Sequence, residues 1–296
     1  MRYKMFWKIR MLFKIIVVKF YQKFPFLISD EKYSKLLYRI VFGKKLDLKN
    51  PKTFNEHIIV RKLEDKKYDY AKYTDKFQVR EYVRNKVGDY ILNEIYGIYT
   101  SFNEIDFDSL PNCFVLKATH ASGFNVIVPD KGKFNKAAAK RKFDRWLKIN
   151  FYYKDREKNY KNIQPRILCD KYIEFSKYLV EYKLYCFHGK VKLICQNIDV
   201  DGKRYTNVYD EKFNALPVKF GYDNLSYPLT TLKDELIEIS ERLASEFEFV
   251  RVDLYENKGK IIFSELTFHS GGGLVPFKPE EYDEKFGLFF EGKEEE

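Results

Sequence analysis

The chain of 296 residues is 45% hydrophobic and 18% aromatic, which excludes general disorder and allows a sizeable core in one large domain or two modest ones. A formal net charge of +11 points to acidic partners, whether phosphates, an anionic membrane or an acidic polymer; the lack of any RNA-recognition, helix-turn-helix or zinc-finger signature argues against nucleic acid. Cys113, Cys169, Cys186 and Cys195 stand singly in apolar runs, as thiols of a reducing cytosol do, and His57, His120, His188 and His269 add no zinc or Cys/His spacing to them.

Residues 5–27 come first, rich in Phe, Trp, Ile and Val but interrupted by Lys8, Arg10, Lys14, Lys19 and Lys23. An apolar run of about 20 residues is missing, which excludes a transmembrane helix. No small-residue cleavage site follows, which argues against a signal peptide. Two readings stay open for residues 1–28: a basic, aromatic helix lying on the inner face of a membrane, or an amphipathic helix packed on its own domain.

Helical apolar spacing follows at 31–42 and 75–87, separated by a polar turn stretch at 47–53, so 29–110 reads as a helical region. Strands dominate 111–290: 114–117, 125–128, 167–173, 179–187, 191–197 and 205–209, interrupted by helices at 136–150 and 231–247. The expected class is α+β, with mainly antiparallel strands and helices on one side. Residues 291–296 form an acidic tail, expected to fray.

The most informative stretch runs from Arg251-Val-Asp253 to Glu265-Leu-Thr267. Two apolar runs flank Asn257-Lys258-Gly259, a turn signal. A three-residue loop with Gly259 left-handed would put Asp253 opposite Phe263, so that Arg251, Asp253, Glu265 and Thr267 share one face. A two-residue loop would turn Glu265 away. Oxygen ligands of this kind suit Mg²⁺, which keeps waters and bridges to substrate phosphates. A surface hairpin with scattered charges is the plain alternative.

Other stretches carry weaker signals. Lys117 ends a strand before the small-residue loop His120-Ala-Ser122-Gly123-Phe-Asn125, which can fold over phosphates with its backbone N–H groups; it is not a Walker A sequence. Asp75-Lys76 opens a helix, where a capping aspartate is the ordinary explanation. Asp170-Lys171-Tyr172-Ile173 ends a strand that could offer its backbone to a base, and Glu181 and Lys183 begin the next, alternating with apolar residues as a half-exposed strand does. Asp199-Val-Asp201 is formally a DxD motif of a nucleotide-sugar glycosyltransferase, but Gly202 follows, and an Asp-Gly hairpin turn explains it better.

The order of these pieces resembles the ATP-grasp superfamily, and most closely its TupA-like family, which is associated with bacterial cell-surface polysaccharide loci and often labelled glycosyltransferase by locus. The resemblance covers about 50–287, with its most specific matches at Pro51-Lys-Thr-Phe-Asn-Glu56, Thr74-Asp-Lys-Phe-Gln-Val-Arg-Glu-Tyr-Val83, Leu110-Pro-Asn-Cys-Phe-Val-Leu-Lys117, His120-Ala-Ser-Gly123, Tyr182-Lys-Leu-Tyr-Cys-Phe-His-Gly189, Arg251-Val-Asp-Leu-Tyr255 and Glu265-Leu-Thr-Phe268. It implies an ATP-grasp fold with the nucleotide between mainly antiparallel sheets, and ATP and Mg²⁺ as cofactors.

The same resemblance implies roles for individual residues. Lys76 and Lys117 would hold phosphates under the loop of His120, Ser122, Gly123 and Asn125. Asp170, Lys171, Tyr172 and Ile173 would supply the adenine hinge, and Glu181 the ribose contact. Asp253 and Glu265 would bind the metal, with Thr267 standing where many relatives have Asn. Arg251 would stabilise an acyl-phosphate and the tetrahedral intermediate after it, with Lys183 near the phosphates. His269 and Gly271-Gly-Gly273 would shape an acceptor pocket or form a flexible loop. The implied activity is ATP-dependent carboxylate–amine ligation through an acyl-phosphate. Its partners would be an acidic sugar or lipid-linked glycan and an amine donor, in the cytoplasm or at the inner membrane face. A glycosyltransferase of the same pathways is the alternative, and a phosphoryl transfer that stops at a kinase-like product also stays open.

Overall fold

The computed structural model describes residues 16–64, 70–175 and 178–292. Residues 5–15 of the expected N-terminal helix and 293–296 of the acidic tail lie outside them, while Glu291 closes a short 3-10 helix, Leu288–Glu291. Residues 16–23 are helical. The first long helix, Asp30–Phe42, starts where Ser29 Oγ accepts from the Lys32 N–H and stops at Gly43, whose φ is 71°. Next comes a helix absent from the sequence expectations, Phe54–Glu64.

The expected helix over 75–87 is shorter, Val79–Val87, and follows a single turn, Ala71–Thr74. Asp75 explains the break: its Oδ1 accepts from the Phe77 and Gln78 N–H groups, which holds a tight turn at 75–78 before the helix can start.

Two antiparallel sheets follow. The four-stranded sheet has the order β1-β4-β2-β3, from β1 (Ile95–Tyr99), β2 (Phe114–Ala118), β3 (Asn125–Val128) and β4 (Ile167–Lys171). β1 lies within the stretch read as helical, where its IYGIY sequence is half-buried throughout and shows no alternation. β4 ends at Lys171, so Tyr172 and Ile173 follow the strand rather than extend it to 173. The helix Lys136–Trp146 stops four residues before the expected 150 and packs Ala139 and Phe143 on this sheet with Phe102, Phe114 and Leu116.

The five-stranded sheet has the order β10-β9-β5-β6-β7, from β5 (Leu179–Phe187), β6 (Lys190–Val200), β7 (Lys203–Tyr209), β9 (Phe249–Asn257) and β10 (Lys260–Thr267). A small pair, β8 (Lys219–Phe220) and β11 (Phe277–Lys278), stands apart. Helices Val79–Val87 and Lys233–Ala244 cover one face of the large sheet through Val83, Leu236, Leu243 and Val252. Helices Phe54–Glu64 and Glu281–Gly287 cover the other through Phe54, Ile58, Phe249 and Phe286. Burial on both faces explains why β5 and β9 read as nearly continuous apolar runs. Phe54 is fully buried among the rings of Tyr185, Phe249 and Phe277.

Three hairpins of this sheet turn on two residues with positive φ, His188-Gly189, Asp201-Gly202 and Lys258-Gly259. That is the mirror-image turn whose twist matches the flanking strands. Asn257 therefore pairs with Lys260, and the three-residue loop expected there does not form. The expected consequence is nevertheless avoided. Leu254, not Asp253, pairs with Phe263, and a bulge between Phe263 and Glu265 leaves Ser264 as the extra residue. The register shifts by one, Glu265 comes opposite Asp253 and Thr267 opposite Arg251.

Candidate functional site

Asp253 sits at the centre of three strands. Lys183 of β5 faces it from one side and Glu265 of β10 from the other. The carboxylate is fully buried and takes two hydrogen bonds from Arg251, Nε to Oδ1 and Nη2 to Oδ2, both 2.6 Å, plus one from Lys183 Nζ at 3.0 Å. Burial alone would raise its pKa, but Arg251 and Lys183 overcome that and hold it below the usual carboxylate range.

The network extends outward. Arg251 Nη2 also donates to Thr267 Oγ1 at 3.0 Å, whose hydroxyl donates to Glu265 Oε1 at 3.1 Å. Arg251 Nη1 donates to Ser270 Oγ at 3.0 Å. Burial and the Arg251 charge pull the Lys183 ammonium down, yet Asp253, Glu181 and Glu265 together hold it above its ordinary value. Glu181, nearly buried, receives Lys183 Nζ at 3.1 Å on Oε2 and Ser264 Oγ at 3.2 Å on Oε1. Burial dominates its titration and pushes its carboxyl up.

A cavity of about 260 Å³ separates this wall from the small sheet. Lys76, Lys117, Ser122, Gly123, Asn125, Asp170, Ile173, Glu181, Lys183 and Glu265 line it, residues spread over 190 positions of sequence and drawn together by the two sheets. Lys117 pairs across strands with Asn125 and Leu168. Its Nζ reaches Asp170 Oδ2 at 2.6 Å, while Asp170 Oδ1, buried, has no hydrogen-bond partner among the described residues. Lys76 Nζ donates to the Ala121 carbonyl at 2.7 Å, tying the small-residue loop down. Burial, with the Lys117 charge adding to it, lowers the Lys76 ammonium below its ordinary value. Gly123, at φ 77°, has open space where a Cβ would stand.

Some expected residues lie elsewhere. His120 is buried beneath the loop, its Nε2 paired with the Trp146 carbonyl at 3.1 Å rather than lining the cavity, and burial lowers its pKa. Lys171 is exposed and paired with Glu94 at 3.0 Å. Its backbone N–H donates to the Glu94 carbonyl and its carbonyl accepts from Asn93 Nδ2, so Tyr172 and Ile173 hold the part of the expected hinge outside the ladder. Arg251, Asp253 and Thr267 lie behind Lys183 and Glu265 rather than on the cavity wall. His269 is buried against Asn159 Oδ1 at 3.1 Å. The glycine run is packed: Lys62 Nζ donates to the Gly272 carbonyl, and a Cβ on Gly273 would lie 2.6 Å from the Asn55 carbonyl oxygen.

Arg80, Asn93, Arg204 and Tyr255 also line the cavity; Arg80 and Tyr255 fall within the matched motifs without an expected role, and Asn93 and Arg204 had no sequence signal. Arg80 Nη2 donates to the Asn93 carbonyl at 2.7 Å, and Asn93 in turn holds Lys171, so the pair props the hinge. Arg204 binds Asp199 through two hydrogen bonds of 2.8 and 2.6 Å. With Asp201 in the β6–β7 turn, the Asp199-Val-Asp201 segment is accounted for as hairpin structure.

Of the three expected metal ligands only Glu265, a third exposed, lines the cavity. Asp253 is fully buried with both oxygens taken by Arg251 and Lys183, and Thr267 Oγ1 is held between Arg251 and Glu265. Glu265 is therefore the one carboxylate of the three open to a hard divalent cation there. No group of three or more His, Cys, Asp or Glu that could hold a metal occurs among the described residues.

A family model described as TupA-like ATPgrasp matches residues 56–291. Solved structures with a similar arrangement include a D-alanine–D-alanine ligase from Bacillus anthracis complexed with ATP, at 15% identity and a TM-score of 0.43, covering 67% of this chain and 55% of that one. The corresponding ligase from Helicobacter pylori has 13% identity and a TM-score of 0.42, with 75% and 61% covered. An N5-carboxyaminoimidazole ribonucleotide synthetase in its ADP complex has 14% identity and a TM-score of 0.42, with 67% and 45% covered. The chain thus spans about half of each of these proteins. The sequence matches none of the curated proteins with which it was compared.

Proposed function

The chain belongs to the TupA-like ATP-grasp family, and on that premise we propose that it is an ATP-dependent carboxylate–amine ligase. It acts through an acyl-phosphate on a sugar acid during capsule or other cell-surface polysaccharide assembly. One observation carries this reading: Lys76, Lys117 and the Ser122–Gly123 loop line the same cavity as Lys183 and Glu265, which sets cations suited to phosphates facing a carboxylate suited to a metal.

ATP enters as a substrate. Lys76 and Lys117 neutralise its phosphates, the loop backbone closes over them, and the residues after β4 with Glu181 take the adenosine. Mg²⁺ would be held by Glu265 together with the phosphates, with Asp253 and Thr267 behind it as further oxygen donors once freed from Lys183 and Arg251, and would supply charge neutralisation. In the first step the acceptor's carboxylate oxygen bonds to the γ-phosphorus as its bond to the ADP oxygen breaks. In the second, the amine bonds to the acyl carbon, phosphate departs and the amine loses a proton. Arg251, held by Asp253 and Ser270 behind Lys183 and Glu265, would add fixed positive charge from behind the wall in both steps, with Lys183 nearer the reacting groups. No Ser or Cys nucleophile is required.

An acceptor labelled with ¹⁸O in its carboxylate tests the chemistry. Transfer of one labelled oxygen into the released phosphate, with ADP release requiring both acid and amine, is the expected outcome. Unlabelled phosphate would rule out the acyl-phosphate, and ADP release with the acid alone would make the protein a kinase. A glycosyltransferase gains no support from the DxD segment, because Asp199 is already bound through both oxygens to Arg204.

A further inference from the structure

Residues 16–27 are fastened to the body from one side. Arg156, itself buried, donates from Nη2 to the Tyr21 and Pro25 carbonyls at 3.2 and 3.4 Å, and its guanidinium lies over the rings of Tyr33 and Tyr153 at 4.8 and 5.5 Å. Gln22 Nε2 donates to the Lys154 carbonyl at 3.0 Å. Among the described residues nothing covers the outer side: Phe26 is 80% exposed, Ile16 and Leu27 55%, and Phe20 46%. Ile149 and Tyr153, beside the attachment point, are exposed as well.

Basic groups rim these apolar side chains. Lys19, Lys23, Lys148 and Lys154 are exposed, and residues 131–161 carry twelve Lys and Arg against three Asp and Glu. The nearest acids are turned inward or answered: Asp30 accepts from the Tyr152 hydroxyl and lies 3.8 Å from Arg156 Nε, and Asp155 lies 4.0 Å from Lys154.

We propose that residues 16–27 and 148–154 form one docking face that seats the protein on an anionic lipid bilayer. Protein-binding surfaces are depleted of Lys at their cores, and a soluble polyanion has no use for exposed Phe and Leu. A bilayer interface takes both: apolar side chains enter the boundary between headgroups and acyl chains while lysines reach the phosphates. No described helix is long and apolar enough to cross a membrane, so the contact is peripheral. It stands independently of the ligase reading.

Flotation of the full chain with vesicles provides the test, comparing pure phosphatidylcholine with phosphatidylcholine containing phosphatidylglycerol. The chain floats with the anionic vesicles and at least about tenfold less with the neutral ones, and added salt weakens the difference. Phe26→Ser with Leu27→Ser lowers partitioning about tenfold or more, and Lys19→Glu with Lys23→Glu does so at low salt. Both double variants retain wild-type thermal stability, since all four side chains are exposed. Absence from both vesicle types would overturn the proposal, as would wild-type flotation of the Phe26→Ser, Leu27→Ser variant. Retention on immobilised heparin without any flotation would reassign the lysines to a soluble polyanion and equally overturn it.

Discussion

At the hairpin wall of the cavity, Lys183 and, behind it, Arg251 and Asp253 are withdrawn from water with each charge paired, whereas on the facing wall Lys117 and the buried Asp170 form a single ion pair and Lys117 stays partly exposed. The two walls carry similar residues under different energetic rules. A buried charge that loses its partner keeps its full desolvation cost, while a charge at a rim recovers hydration. The hairpin wall is therefore part of the fold as well as of the site, and the facing wall, with one buried carboxylate and one partly exposed lysine, loses less when a member is removed.

Asp253→Ala breaks this comparison most severely. It strands Arg251 and Lys183, and is expected to cost about 3–5 kcal/mol in urea denaturation; a loss below about 1 kcal/mol would show that water reaches this wall. Asp253→Asn keeps the shape and should cost less. Gly273→Ala attacks the same wall from behind. Its φ of 71° and the approach to the Asn55 carbonyl oppose a Cβ, so a loss of about 1–3 kcal/mol is expected by the same denaturation measurement. Ser270, three residues earlier, would then hold Arg251 less firmly, lowering kcat more than it raises the KM for ATP.

Much of the hairpin wall was legible in the sequence because its charged residues recur at period two. The bulge that completes it was not: Ser264 carries no glycine signal, and Asn257-Lys258-Gly259 is compatible with two loop lengths, so the shared face was expected for a different reason from the one observed. The helix Phe54–Glu64 escaped because it buries Asn55, Glu56 and Lys62 along with Phe54 and Ile58, which blurs its apolar stripe. Arg80, Asn93 and Arg204 come to the cavity from three separate elements, an arrangement that no local spacing records.

The support behind the hairpin wall also titrates. Asn55 donates to the Val275 carbonyl, and both its backbone N–H and its amide donate to Asp283 Oδ1. Burial pushes the Asp283 carboxyl up to about 6 from 3.8. The folded state thus binds this proton more tightly than the unfolded chain. This group's favourable contribution is complete below about pH 4 and is lost as pH rises towards 6. Asp283→Asn should remove that fall from the stability profile between those values, measured by denaturation across pH; an unchanged profile would place the titration elsewhere.

Lys117→Ala leaves the buried Asp170 carboxylate without its lysine and is expected to cost about 1–3 kcal/mol, less than Asp253→Ala, which strands two charges; its sharpest effect is on ligand binding. Thermal shift with Mg²⁺-ATP, set beside UDP- and CMP-linked sugars, in wild type and Lys117→Ala tests the nucleotide site most directly. Mg²⁺-ATP should raise the melting temperature of the wild type and leave that of the variant unmoved, each read against its own melting temperature without ligand. Stabilisation by a nucleotide-sugar alone, retained in Lys117→Ala and lost in Asp201→Ala, would contradict the ATP-grasp ligase and make the protein a glycosyltransferase.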